Sequence, residues 1–307
     1  MRRQLKAGGI TGALFAVWAD SESHSYGGYG QAVSTALRSV AFAKQEIEAC
    51  QGWALQARSV QDIRRAKKQA KTAFIFHLEG AMPLDEDLAY VRVFRELGVL
   101  SVGPVWNIRN QIADGIEQRA GLGLTNFGTI LMSELDRFRI AIDVSHLSER
   151  GFWDVMALSR RPVIASHSNA RALCDNPRNL KDDQIRAIAE KAGVIGACFY
   201  SPFIDTKNPS LDRLLDHIDY IVDLVGVNHI GLGADFTDYL AKEAVKIPSP
   251  GLVTGKVALN LYPGGIENAS KMLNISRGLV SRGYSDDEIL KILGENFLRV
   301  LRQIWGS

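Results

Sequence analysis

The sequence has few of the features that define several protein classes. Its three cysteines, Cys50, Cys174 and Cys198, form an odd set without CxxC spacing. This pattern is typical of neither a disulfide framework nor a thiolate zinc site, so we expect a reducing, cytoplasmic location. No apolar run reaches the roughly 18 residues of a membrane span. The apolar stretch at 10–18 also lacks the cleavage pattern expected of a signal peptide.

The chain also lacks an excess of one charge. Its 36 basic and 34 acidic residues are mixed along the sequence and give a formal net charge of +2. Because a nucleic-acid site needs concentrated basic side chains, no nucleic-acid partner is expected. With 46% hydrophobic and 23% charged residues, the 307-residue chain has the composition of a globular protein with a large core. We predict a single domain over 1–307.

Short apolar, β-branched runs alternate with longer amphipathic runs from end to end, which predicts βα units and a parallel sheet. The predicted strands are 10–18, 73–80, 100–107, 139–146, 162–168, 193–200 and 229–236. The predicted helices are 33–50, 60–71, 87–97, 125–138, 149–159, 182–192 and 210–225. These units suit an α/β fold of the TIM-type (β/α)8 barrel class with its first strand missing.

Extra helices are predicted at the carboxyl end, packed on the barrel over about 266–305. Ser285 is the expected N-cap of one of them, because Glu288 follows three residues later as in a capping box. Two long loops, 107–124 and 237–265, follow predicted strands, where such folds build their sites. A doubly wound dinucleotide-binding fold is disfavoured, since no GxGxxG follows a first strand.

Four metal-capable side chains end predicted strands: Glu79, His146, His167 and Asp235. In a parallel barrel these ends meet on one face. One carboxylate and two imidazoles suit Zn²⁺ or a similar ion that keeps a position open for water. The sequence therefore predicts a metal site for hydrolysis of an amide-like bond, with Asp235 as a second ligand or as acid/base. The alternative for each residue alone is a hydrogen-bonded structural role.

Three further polar residues have open or structural interpretations. His77 shares a strand face with Glu79, so it is an outer partner, a substitute ligand or a buried core histidine. His217 and Asp219 lie in a helical pattern and are expected on the helix surface, away from the site.

Arg178 follows a proline in the loop after the predicted strand that carries His167. Its guanidinium could bind a substrate carboxylate through two hydrogen bonds. The alternative is an ion pair with Asp182 or Asp183 at the start of the next helix.

Several motifs, in order, resemble the renal (membrane) dipeptidase family of binuclear zinc dipeptidases. They are HLEGA, GLGLTNFG, IDVSHLS, RPVIASHSNARALCDNPRNLKDDQIRAIA, GADF and ENASKMLNISRGLVSRGYSDDEILKILGENFLRVL. They extend over nearly the whole chain. The resemblance implies a (β/α)8 barrel that hydrolyses the peptide bond of dipeptides with a metal-activated hydroxide, and it suggests a homodimer.

The resemblance also assigns roles to individual residues. Glu79 corresponds to the metal-bridging glutamate, and His146 and His167 correspond to the ligands of one zinc. Asp235 matches an aspartate that contacts the other zinc and transfers the proton during attack. For the substrate, Arg178 matches the carboxylate-binding arginine, and Tyr200 resembles an aromatic residue of the pocket.

Two departures from the family pattern alter these expectations. The family's first strand carries a His-x-Asp motif that completes the other zinc site, whereas Met1 lies a few residues before the second strand. We expect either that the natural protein has upstream residues or that this is a divergent form with at most one complete metal site. Trp106, which we expect to contact the substrate, stands where many members have a histidine that stabilises the oxyanion. An indole donates one hydrogen bond without a positive charge.

These departures leave alternatives to a binuclear dipeptidase. One is a catalytically silent or mononuclear member that binds a peptide-like ligand. Another is a hydrolase of D-amino-acid dipeptides or β-lactams. An open seven-stranded barrel would expose two strand edges, which predicts an oligomeric or poorly soluble chain.

Overall fold

A computed structural model describes residues 2–19, 28–118, 121–237 and 261–306. In these residues the strands are β1 (Gly12–Trp18), β2 (Ala54–Gln56), β3 (Thr72–Glu79), β4 (Val99–Gly103), β5 (Ala141–Ile142), β6 (Ile164–Ala165), β7 (Val194–Cys198) and β8 (Ile230–Gly233). The helices are α1 (Arg2–Ala7), α2 (Gly28–Ala49), α3 (Val60–Lys68), α4 (Ala89–Leu97), α5 (Asn126–Arg137), α6 (Glu149–Leu158), α7 (Asp182–Glu190), α8 (Ser201–Ile204), α9 (Leu211–Val225), α10 (Leu273–Ser281), α11 (Asp286–Leu290) and α12 (Asn296–Trp305).

The chain divides into two compact units. The larger unit comprises Thr11–Ala165, Ala187–Val194 and Phe297–Ser307. The smaller unit comprises Met1–Ile10, Ser166–Arg186 and Ile195–Asn296.

A parallel sheet in the order β1-β3-β4-β5 organises the larger unit, with β2 paired to β3. Its register places Trp18 and Gly103 on either side of Glu79, at the carboxyl end of the sheet. A parallel bridge from Asp143 to Ile164 continues the pairing to β6. Side chains at this end of the sheet are therefore neighbours although they are far apart in sequence.

The core of the larger unit explains the apolar sequence of β3. Every residue of β3 except Glu79 is buried, as expected for a parallel strand covered on both faces. Helix α12 packs against this sheet and contributes Val300, Leu301 and Ile304 to the core. The Trp305 indole donates a hydrogen bond of 3.0 Å to the Leu100 carbonyl in β4, which anchors the carboxyl-terminal helix to the sheet.

In the smaller unit, β7 and β8 pair in parallel from Ile195–Ile230 to Cys198–Gly233. Close backbone approach requires two glycines here. A Cβ on Gly196 would lie 2.1 Å from the Ser166 carbonyl oxygen, and one on Gly233 would lie 1.9 Å from it. Both glycines therefore allow the segment that begins at Ser166 to lie directly against these strands.

The predicted α/β class with parallel sheets is confirmed, and so is the capping box of Ser285 and Glu288. Three predicted strands are too long, since β4 ends at Gly103 and β5 and β6 have two residues each. Strand β2 was not predicted. After β5 a turn replaces the expected strand end, since Ser145 N donates to the Asp143 carboxylate at 3.1 Å. Most of the predicted loop 237–265 lies outside the described residues.

No helix of the described segments combines the length and the apolar character that crossing a bilayer requires.

Candidate metal centre

Three of the predicted metal ligands come together. One ligand atom each from Glu79, His146 and His167 lies within 4.8 Å of the other two. Both histidines are buried, whereas Glu79 is half-buried. Zinc takes imidazole nitrogen and carboxylate oxygen ligands at about 2.0–2.2 Å. The donor set, two imidazoles and a carboxylate, fits a divalent metal with an open coordination position.

Glu79 is the last residue of β3 and the one member of the strand that is not fully buried. Its Oε1 lies 3.1 Å from Nε2 of His146. The parallel register aligns Glu79 with Trp18 and Gly103, so the strand end directs the carboxylate to the carboxyl edge of the sheet.

His146 lies four residues beyond β5, in a turn rather than in the predicted strand. Its φ is 71°, a left-handed conformation that costs a non-glycine residue about 1–3 kcal/mol. Two backbone hydrogen bonds hold the turn, from Val144 N to the Ile164 oxygen at 2.8 Å and from Ile116 N to the His146 oxygen at 2.8 Å. Such strain at a polar side chain is common where a site needs a fixed orientation.

Asn107 is a contact of His146 that the sequence reasoning missed. Its Oδ1 lies 2.7 Å from Nδ1 of His146, and the residue is buried. Metal-binding histidines typically donate the second ring N–H to such an oxygen. The only hint in the sequence is that Asn107 follows Trp106 in the long loop after β4.

His167 follows β6 by two residues in the smaller unit. Its Nδ1 lies 2.7 Å from the Ser166 hydroxyl, which leaves Nε2 as the nitrogen suited to a metal. Ser168 N donates to the Gly196 carbonyl at 2.8 Å. This bond and the glycine contacts with Ser166 hold both neighbours of His167.

Asp235 lies outside the three-residue group, in an exposed position two residues after β8. Its φ of 54° is also left-handed. The Tyr262 hydroxyl donates to the Asp235 backbone oxygen at 2.5 Å and accepts from Thr237 N at 2.8 Å. Burial and the charge of Asp235 raise the pKa of Tyr262 above its usual value, so the hydroxyl keeps its proton. Tyr262 was not predicted, and the proton-transfer role of Asp235 stays a prediction.

Arg178 and Tyr200 both pack on Phe203. The Arg178 guanidinium carbon lies 5.3 Å from the Phe203 ring centroid, and the Tyr200 ring meets Phe203 edge-on at 4.9 Å. Burial, followed by the charge of Asp235, raises the pKa of Tyr200. A buried cation beside aromatic rings suits a small carboxylate ligand. The substrate-binding roles of both residues remain predictions.

Trp106 is buried between two other rings. Its centroid lies 5.4 Å from that of Trp18, in an edge-on arrangement, and 6.1 Å from that of His146. The Trp106 indole therefore lies beside the ring of His146, a candidate metal ligand. Its predicted contact with the substrate stays a prediction.

Two other histidines have structural surroundings. His77 is buried, with Nδ1 at 3.0 Å from the Ser101 hydroxyl and Nε2 at 3.4 Å from a carboxylate oxygen of Asp143. This supports the core interpretation. The prediction of a surface His217 is wrong, because the residue is 1% exposed. The predicted helix is confirmed as α9, but His217 lies on its buried face.

The sequence profile of the membrane dipeptidase family (peptidase family M19) matches residues 2–246 and 257–305. The chain belongs to this family. It is therefore a hydrolase of a metallopeptidase family, as the resemblance of its motifs implied.

Individual relatives support the assignment. The chain is 32% identical to an uncharacterized protein of the pqqA 5′ region of Klebsiella pneumoniae, over 90% of this chain and 98% of the relative. It is 30% identical to the dipeptidase aclJ of Aspergillus oryzae, over 81% of this chain but only 56% of that protein. A solved metallopeptidase of Rhodobacter sphaeroides, bound to a phosphinate mimic of the dipeptide L-Ala-D-Ala, matches with a TM-score of 0.85 and 27% identity. That match covers 99% of this chain and 89% of the other.

Proposed function

We propose that this protein is a zinc-dependent dipeptidase. The observation that carries the proposal is the group of Glu79, His146 and His167, whose ligand atoms lie within 4.8 Å of one another in a chain of the membrane dipeptidase family. These residues would hold the ion. A zinc ion bound there would supply Lewis acidity that lowers the pKa of water to about 7 and polarises a substrate carbonyl.

Asp235 is proposed to move the proton. Hydrolysis adds water across the peptide bond, so a proton leaves the attacking water and another reaches the departing amine nitrogen as the C–N bond breaks. An exposed carboxylate on a turn held by Tyr262 suits both transfers. Its negative charge also contributes, after burial, to the raised pKa of Tyr200.

Arg178 is proposed to select substrates with a free carboxylate. A guanidinium binds a carboxylate with two parallel hydrogen bonds, which fixes its orientation. Because the terminal carboxylate of a dipeptide lies one residue from the scissile bond, this contact would favour dipeptides over longer peptides. A dipeptide such as L-Ala-D-Ala is the proposed substrate class, on the model of the Rhodobacter relative's ligand.

The deciding experiment measures turnover by the zinc-loaded chain. Alanyl dipeptides with an L or a D second residue are compared with the same dipeptides amidated at the carboxyl end. We expect hydrolysis of the free acids and little of the amides. Asp235→Asn should lower kcat by about 10²–10⁴-fold, the usual contribution of a general acid–base.

A matched pair of arginines tests substrate selection. Arg178→Lys should raise KM for the free acids, whereas Arg171→Lys should leave KM unchanged, because Arg171 pairs with the exposed Asp175 in the same loop. Equal turnover of acids and amides would contradict the role of Arg178. Zinc-dependent binding of dipeptides without turnover would instead identify a silent family member, and hydrolysis confined to β-lactams would reassign the substrate.

A further inference from the structure

We propose that Asn107 is a positioning residue that holds the His146 ring through Nδ1 and so directs Nε2 to the metal. The inference concerns metal binding and rests on the metal site of the proposed function. It does not depend on which substrate is hydrolysed.

The hydrogen bond between the two side chains orients the ring. Oδ1 of Asn107 can only accept, so Nδ1 of His146 is the donor in the 2.7 Å contact. The opposite nitrogen, Nε2, lies 3.1 Å from Oε1 of Glu79. A metal bound there would take Nε2 as its ligand, while Nδ1 would keep its proton and its bond to Asn107. The ring therefore directs Nε2 to the carboxylate with which it would share an ion.

The environment of Asn107 favours a specific role. The residue is 1% exposed, and its backbone oxygen accepts from Glu117 N at 2.9 Å. Opposite it, Gly115 approaches so closely that a Cβ would lie 2.3 Å from the Asn107 carbonyl atoms. The loop is thus closed around the backbone of Asn107, which leaves its amide little freedom to turn away from His146.

Besides the bond from Ile116 N to the His146 oxygen, the rest of the loop has supports of its own. Arg109 bonds the Asp114 carboxylate through two nitrogens, and this hydrogen bonding holds the pKa of Asp114 below its usual value. Asn110 accepts from Ile112 N at 2.8 Å and donates to the Pro104 oxygen at 2.9 Å. Asn110 orders the loop without contacting His146 in these bonds, so it provides a matched control.

The direct test reads the His146 ring in the zinc-loaded protein. Histidine labelled with ¹⁵N is analysed by long-range ¹H–¹⁵N NMR, and the His146 signals are assigned from their loss in His146→Gln. We expect Nε2 bound to zinc and a slowly exchanging proton on Nδ1 in the wild-type protein. Asn107→Leu should make that proton exchange faster with solvent, whereas Asn107→Asp and Asn110→Ala should keep the wild-type pattern.

The second readout is zinc affinity, measured by competition with a chromophoric chelator. Asn107→Leu should bind zinc about 10–100-fold more weakly, the usual loss when an outer partner of a ligating histidine is removed. Asn107→Asp retains an accepting oxygen and should rescue most of that loss. A larger effect of Asn110→Ala than of Asn107→Leu would show that loop order, and not this hydrogen bond, governs the metal.

The outcomes separate this inference from the proposed function. A zinc-loaded wild-type protein in which Nδ1 of His146 binds the zinc would overturn the inference even if the enzyme is active. A wild-type protein with the expected ring orientation that hydrolyses no dipeptide would overturn the proposed substrate and leave the role of Asn107 in place. If Asn107→Leu does not fold, the ring orientation in the wild type and the Asn107→Asp affinity still decide.

Discussion

His146 and His217 are both buried, and both ring nitrogens of each have a polar neighbour, yet their surroundings differ in kind. His217 lies on the regular helix α9. Its Nδ1 accepts from Ala170 N at 3.2 Å, and its Nε2 donates to the Ile204 oxygen at 2.9 Å. His146 lies in a strained turn and contacts two side chains, Asn107 and Glu79.

The difference lies in the partners of these two rings. Backbone groups use both nitrogens of His217, so the ring serves as a bridge between two segments of the smaller unit. At His146 an acceptor occupies Nδ1 while Nε2 faces an acidic side chain. Burial does not separate these two histidines, whereas the identity of their partners does.

The largest expected effect is on metal binding by His146→Ala. Because this change removes a proposed ligand, zinc affinity should fall by more than about 100-fold, beyond the loss caused by removing an outer partner. Equilibrium dialysis with metal analysis measures it. His217→Ala, tested at a temperature where it is folded, should retain zinc at near the wild-type level. Equal metal retention by His146→Ala and wild type would show that His146 is not a zinc ligand.

His217→Ala should instead destabilise the protein. The change leaves the Ala170 N–H and the Ile204 carbonyl without their partner and opens a cavity, which together cost about 2–4 kcal/mol. Urea unfolding followed by circular dichroism gives the free energy of unfolding. The control is Asp223→Ala, an exposed position on the same helix, which should stay within about 0.5 kcal/mol of wild type. If His217→Ala loses no more unfolding free energy than the control, the hydrogen bonds of His217 to Ala170 and Ile204 do not stabilise the protein.

Gly115→Ala tests the loop that contacts His146 through Asn107. Its Cβ would lie 2.3 Å from backbone atoms of Asn107, so the loop must shift. We expect a loss of about 1–3 kcal/mol in the free energy of unfolding, the range for overpacking, together with weaker zinc binding. Gly52→Ala is the control, because a Cβ there has no atom within 4 Å. Unchanged zinc affinity in Gly115→Ala would separate loop packing from metal binding.

The smallest effect is a pH dependence of stability. Burial is the main cause that lowers the pKa of His217 from its ordinary 6.5, so the unfolded chain binds a proton more readily than the native protein does. This contribution to stability is fully present above pH 6.5 and is lost as the pH falls through the native pKa. Its slope is at most about 1.4 kcal/mol per pH unit.

Unfolding free energies of wild type and His217→Gln at pH 5.0–7.5 measure this contribution. Their difference should shrink as the pH falls. A difference that stays constant over this range would mean that His217 does not titrate differently in the folded and unfolded states.

Local sequence patterns were sufficient for much of the fold. The alternation of apolar and amphipathic runs located the main strands and helices within a few residues, and Ser285 with Glu288 marked a helix start correctly. The same patterns failed at β5 and β6. There the predicted strands extend to His146 and Ser168, whereas the strands end at Ile142 and Ala165 and mostly polar residues follow them.

The sequence by itself determined the candidate ligands Glu79, His146 and His167, because metal-capable side chains that follow apolar runs are visible in one dimension. Only the tertiary structure decided which histidines are bridges and which face an acidic group. The contact of Asn107 with His146 spans 39 residues, and that of His217 with Ala170 spans 47. Periodicity is a property of neighbours along the chain, whereas hydrogen-bond partners are chosen by the packing of distant segments.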